Sequence, residues 1–322
     1  MLVIQFGRAD LANVRFAISP LLEVHRSVRA LDDPASRALH LPWIRFARDR
    51  VAGGDLALLR ALQPRDAYTP DFVHPPPSSP LAQIDDELGE MLATPADRIR
   101  AEVRFAYPDA PLPAILQPFI DDPEAAVVQL AAVIRTYWEK LVAPHWERLR
   151  MVLEGDVLYR AREIADGGET LLFSDLHPEA WFDEGTLNVE KPWDEQVTLD
   201  GRGLLLVPSA FVWPNLAAIT EPPWQPTLIY PARGVGTLWE PGTPVSSKAL
   251  AKLLGPRRAA VLTALDSPRS TSEIAQRLGL SPASVSQHLT VLRDAGLVHG
   301  HRVKRVVLYA RTPRGDGLLE AS

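Results

Sequence analysis

The chain has 322 residues, 46% of them hydrophobic and 23% charged, with a formal net charge of −6 and no cysteine. Such a length and composition imply a globular protein with a real core, built as two domains or as one large domain and a small one. The missing cysteines exclude disulfides, thiolate metal sites and a cysteine nucleophile, and they fit a cytoplasmic setting.

The N-terminal run Met1 to Phe6 turns polar at Arg8 and Asp10. Lacking a basic start and a long apolar stretch, it reads as a short strand rather than a signal peptide. The most apolar runs, such as Leu204 to Pro208, fall far short of the roughly 20 residues that span a bilayer, so no membrane partner is expected. Prolines punctuate the chain, most densely from His74 to Pro80, and no internal repeat is visible. Residues 8–166 read mostly as helices. Pro20 to Leu31, Pro80 to Leu92, Pro95 to Phe105 and Pro123 to Leu141 each open at or near proline, which suits the first helical turn. Two long amphipathic stretches, Glu124 to Val142 and Pro144 to Ala165, are joined so briefly that a kinked or antiparallel pair is expected.

From Gly167 to Trp239 the pattern changes. Thr170 to Phe173, Gly203 to Val207 and Thr227 to Tyr230 read as short β-runs between Gly, Pro and Asp. Residues 241–255 read as a linker with turn chemistry and a linker helix, Lys248 to Leu254, capped by Ser246 or Ser247.

Beyond Pro256 the charge reverses. Residues 256–311 hold nine Lys and Arg against three Asp and Glu, a balance of +6, while the remainder carries −12. Exposed charges are screened beyond about 10 Å at moderate salt, so the local patch, not the total, decides whether nucleic acid binds. A first helix runs from about Arg257 to Leu265. A second, Glu273 to Leu278, is capped by Ser270 or Thr271 and stopped by Gly279. A third starts with Ser281 as cap and Pro282 at its first position, and ends at Gly296. The tight turn Gly279-Leu280-Ser281 makes the last two a helix-turn-helix, whose second helix enters the major groove. Two period-2 runs, Leu297 to Arg302 and Arg305 to Arg311, complete a β-wing.

At about 100° per residue the third helix buries Val285, Leu289 and Leu292. Ala283, Gln287 and Thr290 then face outward, flanked by Ser284 and Ser286. Small side chains permit close approach to base edges, and a glutamine amide can pair with adenine. The candidate DNA contacts are Ser281, Ala283, Ser284, Ser286, Gln287, Thr290 and Arg293, with His288 nearer the core. Arg302, Lys304 and Arg305 in the wing are placed for phosphates or the minor groove.

These residues resemble the ArsR-type winged-helix repressors. The matching run, Ser270 to Val298, reads STSEIAQRLGLSPASVSQHLTVLRDAGLV, with Tyr309 and Thr312-Pro313 fitting the end of the wing. The resemblance covers about residues 247–320. A long proline-rich region ahead of such a module is similar to an actinobacterial subgroup of regulators, on Ser19 to Glu23, Pro144 to Arg148 and Val207 to Phe211. The resemblance implies a repressor that acts as a homodimer on a palindromic operator in double-stranded DNA. Two departures stand out. The helix Glu273 to Leu278 lacks the family's Cys-x-Cys pair, which excludes metal sensing by that route. The wing turn has Val303-Lys304 where relatives have Asp-Gly, and a β-branched residue resists φ > 0, so another turn type is expected.

The acidic N-terminal domain is the natural sensor. Tyr137, Trp138, Trp146 and Arg148, with His145, Arg150, Trp43 and Arg45 nearby, offer aromatic walls and cations for a small effector; the plainer alternative is that they fill the core. No catalytic or nucleotide-binding motif occurs, and His25, His40, His74, His145 and His177 lack ligand-like spacing, so no enzyme, metal or cofactor is expected. The sequence therefore describes a mainly α protein with minor β (α+β). An N-terminal sensor and dimerisation domain spans 1–240, helical to about 166 and β-rich from 167, and a winged helix-turn-helix spans 256–322. The alternative is an enzyme or ligand-binding module that uses its winged helix for protein contacts.

Overall fold

Ser19 and Pro20 start the helix around which the N-terminal unit is built. The Ser19 hydroxyl accepts the Leu22 N–H at 2.9 Å, and proline occupies the first turn, where its missing N–H has no helical partner to lose. The computed structural model describes residues 1–322 except 8, 52–55, 65–66, 240–246, 266–267, 304–305 and 321–322; of 237, 247–249, 303, 306, 313 and 320 it describes the backbone alone. Two compact units result, Met1–Trp239 and Glu240–Ser322.

In the first unit, strands β1 (Leu2–Gln5) and β2 (Arg15–Phe16) precede helices α1 (Pro20–Asp32), α2 (Leu41–Arg48), α3 (Ala57–Ala61), α4 (Ile84–Leu92), α5 (Ala96–Phe105), α6 (Pro118–Asp121) and α7 (Pro123–Tyr137). Helix α1 is buried on nearly every side, packing against α2, α3, α4 and α7. Several of its polar residues are bound rather than exposed. The Glu23 carboxylate accepts the N–H groups of Ala210 and Phe211, Glu87 accepts that of Leu21, and Ser27 bonds the Tyr137 hydroxyl.

A π-helical turn, Trp138–Val142, and a 3-10 turn, Ala143–His145, lead from α7 into α8 (Trp146–Ser174). The two long helices follow one another instead of packing along their length, so of the two expected arrangements the kink is found. Helix α8 is itself broken at Gly168, whose φ of 66° and ψ of −152° lie in a region only glycine visits freely. Arg160 ties the two segments together, donating to the Leu172 carbonyl and pairing with Glu163 and Asp175.

The expectation of a strand at Thr170 to Phe173 is corrected here: those residues form the second segment of α8, with Leu172 and Phe173 buried. A four-residue apolar run suits a buried helix face as well as a strand, and periodicity alone does not separate them. Helix accordingly reaches Ser174, beyond the expected end near 166.

The β part is larger than the sequence showed. Strands β3 (Ala180–Asp183), β4 (Thr186–Val189) and β5 (Glu195–Thr198) join β1 in a sheet of order β3-β4-β1-β5. Strands β6 (Leu205–Ser209), β7 (Ala217–Ile219) and β8 (Thr227–Pro231) join β2 in the order β2-β6-β8-β7, with β2, β6 and β8 parallel. The continuous apolar run of β6 fits a central strand covered on both faces.

The second unit contains α9 (Ser247–Leu254), α10 (Pro256–Thr263), β9 (Arg269–Ser270), α11 (Thr271–Leu278), α12 (Pro282–Asp294), β10 (Val298–Val303), β11 (Val306–Arg311) and α13 (Pro313–Glu320). Helix α9 packs on α10. Val261, Leu262, Ile274, Val285, Leu289 and Leu292 form the centre of its core. The fold is α+β, with helices dominant in both units. Among the described residues no helix is long and apolar enough to cross a membrane.

Candidate nucleic-acid interface

Local chemistry fixes each end of the helix pair. Ser270 and Glu273 form a capping box at the start of α11: the Ser270 N–H donates to Glu273 Oε2 at 2.7 Å and the Glu273 N–H donates to Ser270 Oγ at 3.3 Å. These hydrogen bonds hold the Glu273 carboxyl below its usual range. Gly279 stops the helix in the left-handed region at φ 63°, and the Leu280 N–H returns to the Ala275 carbonyl at 3.0 Å. Ser281 then caps α12, its hydroxyl accepting the Ser284 N–H at 3.2 Å. At the far end Gly296 adopts φ 71°, and the Leu297 N–H closes onto the Leu292 carbonyl at 2.8 Å.

Helix α12 is positioned by Val285, Leu289 and Leu292, all buried to within 1%. Its other face is open. Ser281, Ala283, Ser286, Gln287, Thr290 and Arg293 are exposed, and Ser284 and His288 are half-buried. Thr290 Oγ1 donates back to the Ser286 carbonyl, and Ser284 Oγ lies 3.4 Å from His288 Nε2. Gln287 has no hydrogen-bond partner among the described residues, so both ends of its amide remain available outside the protein.

The wing strands pair antiparallel from Val298 with Arg311 to Val303 with Val306. Strand β9, which sequence reasoning missed, adds a third strand through Leu308 and Tyr309. Two residues that short offer no periodicity. Arg302 is exposed on β10; Lys304 and Arg305, and with them the expected wing turn, lie outside the described residues. Thr312 anchors α13 at the root of the wing: its hydroxyl donates to the Gly296 carbonyl and accepts the Gly315 N–H. A side chain at Gly315 would meet the Leu297 carbonyl oxygen at 2.2 Å, which explains glycine there.

The structure also places the candidate effector residues. Tyr137 is buried, with its hydroxyl on Ser27. Trp43 is fully buried and donates to the Leu141 carbonyl. Trp138 and Trp146 meet edge to face, 5.2 Å between centroids, and pack half-buried on the core, while Arg148 is half-buried and Arg150 pairs with Glu154. The cavity beside this stretch, about 230 Å³, is lined by Tyr137 but by none of Trp138, Trp146 and Arg148.

A larger cleft of about 1130 Å³ lies elsewhere in the same unit, lined in part by Arg26, Arg29 and Arg37. Sequence reasoning passed over it because its walls come from segments nearly 200 residues apart. His25 and His74, isolated in sequence, sit with rings 5.5 Å apart. Burial lowers the pKa of His25 to about 3 and that of His74 well below the usual value, with Arg26 adding to both, so these rings are neutral. No group of three or more metal-ligating side chains occurs among the described residues.

A helix-turn-helix domain family matches residues 253–301, and a family described as being of unknown function (DUF5937) matches residues 83–236. The HTH-type transcriptional regulator NmtR of Mycobacterium tuberculosis is 35% identical over 78 residues. That match covers 22% of this chain, and the chain spans 65% of the length of that relative. Among solved structures, a predicted DNA-binding transcriptional regulator from E. coli is 30% identical, covering 24% of this chain and 87% of that one, with a TM-score of 0.21. Reduced HlyU from Vibrio cholerae is 29% identical, covering 26% and 92%, also with a TM-score of 0.21.

Proposed function

We propose that this chain, which carries an ArsR-type winged helix-turn-helix behind a large domain matching DUF5937, is a sequence-specific transcriptional repressor that works in the cytoplasm as a homodimer under the control of a small effector. The observation that carries the DNA-binding part is the outer face of α12. Its small and amide side chains lie open while the opposite face is sealed in the core. Such a face lets a helix approach base edges, with Gln287 as the reading group and Arg302 on the wing as a phosphate contact.

Dimerisation follows from the limits of one reading head, which contacts too few bases to specify a site; a two-fold pair doubles them on a palindromic operator. Leu253 on α9, 69% exposed, supplies an apolar face for a second copy. The size of the N-terminal unit, which far exceeds what dimerisation requires, leaves room for an effector pocket. Coupling between effector and DNA acts through different affinities for two arrangements of the dimer, typically 1–3 kcal/mol.

Footprinting the purified protein on DNA upstream of its own gene tests this reading. Two protected half-sites about 10 base pairs apart, or a multiple of that, are expected. Gln287→Ala is expected to lose discrimination at one or two base pairs, about 1–3 kcal/mol for a bidentate contact. Arg302→Ala is expected to weaken all sequences alike and lower the salt slope by about one. No protected site, or identical effects of the two substitutions, would overturn the assignment.

A further inference from the structure

The 1130 Å³ cleft of the N-terminal unit has a floor of cations and walls of exposed aromatic rings. Arg26 and Arg29 lie one turn apart on α1, Arg37 follows that helix, and Lys191 comes from the segment between β4 and β5. Arg37 Nη1 donates to the carbonyls of Phe211, Val212 and Trp213, and Lys191 Nζ donates to that of Leu216, so both cations meet neutral acceptors there. Arg26 makes no hydrogen bond or ion pair among the described residues.

Electrostatics leave that cation needing a counter-charge. Burial first, then the charges of Arg29 and Arg37, lower the pKa of Arg26 to about 9. Glu23 and Asp71 oppose this, but burial raises the pKa of each to about 7, so near neutral pH neither is fully charged.

The walls give a second, independent observation. Among the described residues three Phe, Trp and Tyr side chains are exposed, Phe105 (61%), Trp193 (53%) and Trp181 (42%), and all three line this cleft. Exposed rings gathered at one concave site mark a place for an apolar ligand body. Glu179, Glu190, Glu195 and Glu221 also line it and would repel a highly charged ligand such as a polyphosphate.

We propose that the cleft binds a small organic anion with one acidic group and a flat apolar body, in chemical class an aromatic carboxylate. The carboxylate pairs with the Arg26 guanidinium, and the ring lies among Phe105, Trp181 and Trp193. As the site of the effector this rests on the regulatory reading above; as a binding site it stands apart from it.

The test uses the full-length protein and a panel of benzoate, 1-naphthoate and indole-3-acetate, followed by calorimetry and by the fluorescence of the wall tryptophans. At least one panel member is expected to bind saturably, one per chain. The alcohol that replaces the carboxylate of the best binder should bind at least 10-fold more weakly. Arg26→Gln should lose at least 10-fold in affinity, Arg26→Lys should recover part of it, and Trp193→Ala should lose several-fold. Because Arg26 has no hydrogen bond or ion pair to lose among the described residues and two like charges to escape, Arg26→Gln should melt close to wild type, which separates a lost site from a lost fold. Absence of saturable binding by all three acids, equal binding of acid and alcohol, or undiminished binding by folded Arg26→Gln would overturn the proposal. A separate arm measures operator affinity with and without the best binder. Binding without any change in operator affinity would remove the regulatory reading and leave the site intact.

Discussion

Among the described residues the buried polar and charged side chains, from Asp10 to Thr227, all lie in the N-terminal unit, whereas the sealed interior of the C-terminal unit is apolar. The C-terminal unit keeps its chemistry outside, on the open face of α12 and on the wing. The N-terminal unit keeps its chemistry inside, in Glu23, Glu87, Asp156 and Arg160 and in the cleft floored by Arg26. A buried polar group is tolerable only where partners satisfy it, so the first design fixes function by surface composition and the second by tertiary placement.

The largest expected effect tests the inside chemistry directly. Arg160 is 1% exposed and serves Asp156, Glu163 and Asp175 at once. Arg160→Ala removes the cation beside Asp156 and Glu163, both buried, while the exposed Asp175 keeps Arg233, so a loss of about 3–5 kcal/mol is expected for the broken buried pair. In calorimetry the N-terminal transition should fall sharply while the C-terminal one stays. An equal fall in both would show that the two units do not melt independently.

The complementary substitution is Leu289→Ala, which truncates the centre of the apolar core at a residue 1% exposed. It should cost the C-terminal unit about 2–5 kcal/mol. Operator binding should drop with it, and binding of the aromatic acid in the N-terminal cleft should not. Loss of both would break the contrast between the units.

This contrast also explains what could be read in advance. In the C-terminal unit each boundary has a local cause, Ser270 with Glu273, Gly279, Ser281 with Pro282, and Gly296, and the buried positions follow the helical period. The open face of α12 was therefore legible before any coordinates; the two-residue strand β9 was not, because its pairing with Leu308 and Tyr309 is a tertiary fact. In the N-terminal unit the helix starts at Pro20 and Pro123 and the strands at Leu205 and Thr227 were legible. The break at Gly168 and the paired β3 and β4 were not. Tyr137 and Trp43 drew attention as aromatics near arginine, yet they are core. The cleft stayed hidden because Arg26 and Trp193 meet only after the chain has folded.

Proton linkage supplies a smaller, graded test. Burial raises Glu23 and Asp71 to about 7 and Glu87 to about 8, and lowers His25 to about 3 and His40 to about 4. The folded unit thus keeps protons on its carboxyls that the unfolded chain releases near pH 4 to 4.5, and refuses protons on its histidines that the unfolded chain takes up below about 6.5. Above pH 6.5 only the carboxyls respond, so stability falls as pH rises to about 7–8. Below pH 4 only the histidines respond, so stability falls as pH falls. Between these limits the two oppose each other. The slope is at most about 1.4 kcal/mol per pH unit for each group. The N-terminal transition should therefore peak between about pH 4.5 and 6.5, and Glu23→Gln should flatten its alkaline side. The C-terminal transition, with no buried titratable side chain among its described residues, should change little from pH 5 to 8. Matching pH profiles for the two transitions would contradict the division.

The smallest effect compares one device in both settings. Ser19 and Ser281 each cap a helix whose first residue is proline, and each accepts an N–H three residues on, at 2.9 and 3.2 Å. Ser19 is buried at 2% exposure, whereas Ser281 is exposed. Replacing a serine cap by alanine costs about 0.5–2 kcal/mol, and replacing it by glycine only a few tenths. Ser19→Ala should fall at the upper end of that range, because the buried Leu22 N–H loses its acceptor. Ser281→Ala should fall nearer the middle. Ser281→Gly then isolates the outside role proposed for the hydroxyl, since the helix survives almost unchanged while the hydroxyl is gone. Chemical denaturation should show near wild-type stability for Ser281→Gly, and an operator titration should show affinity reduced several-fold. Unchanged affinity would confine Ser281 to capping and move the first DNA contact of α12 to Ala283 and Ser284.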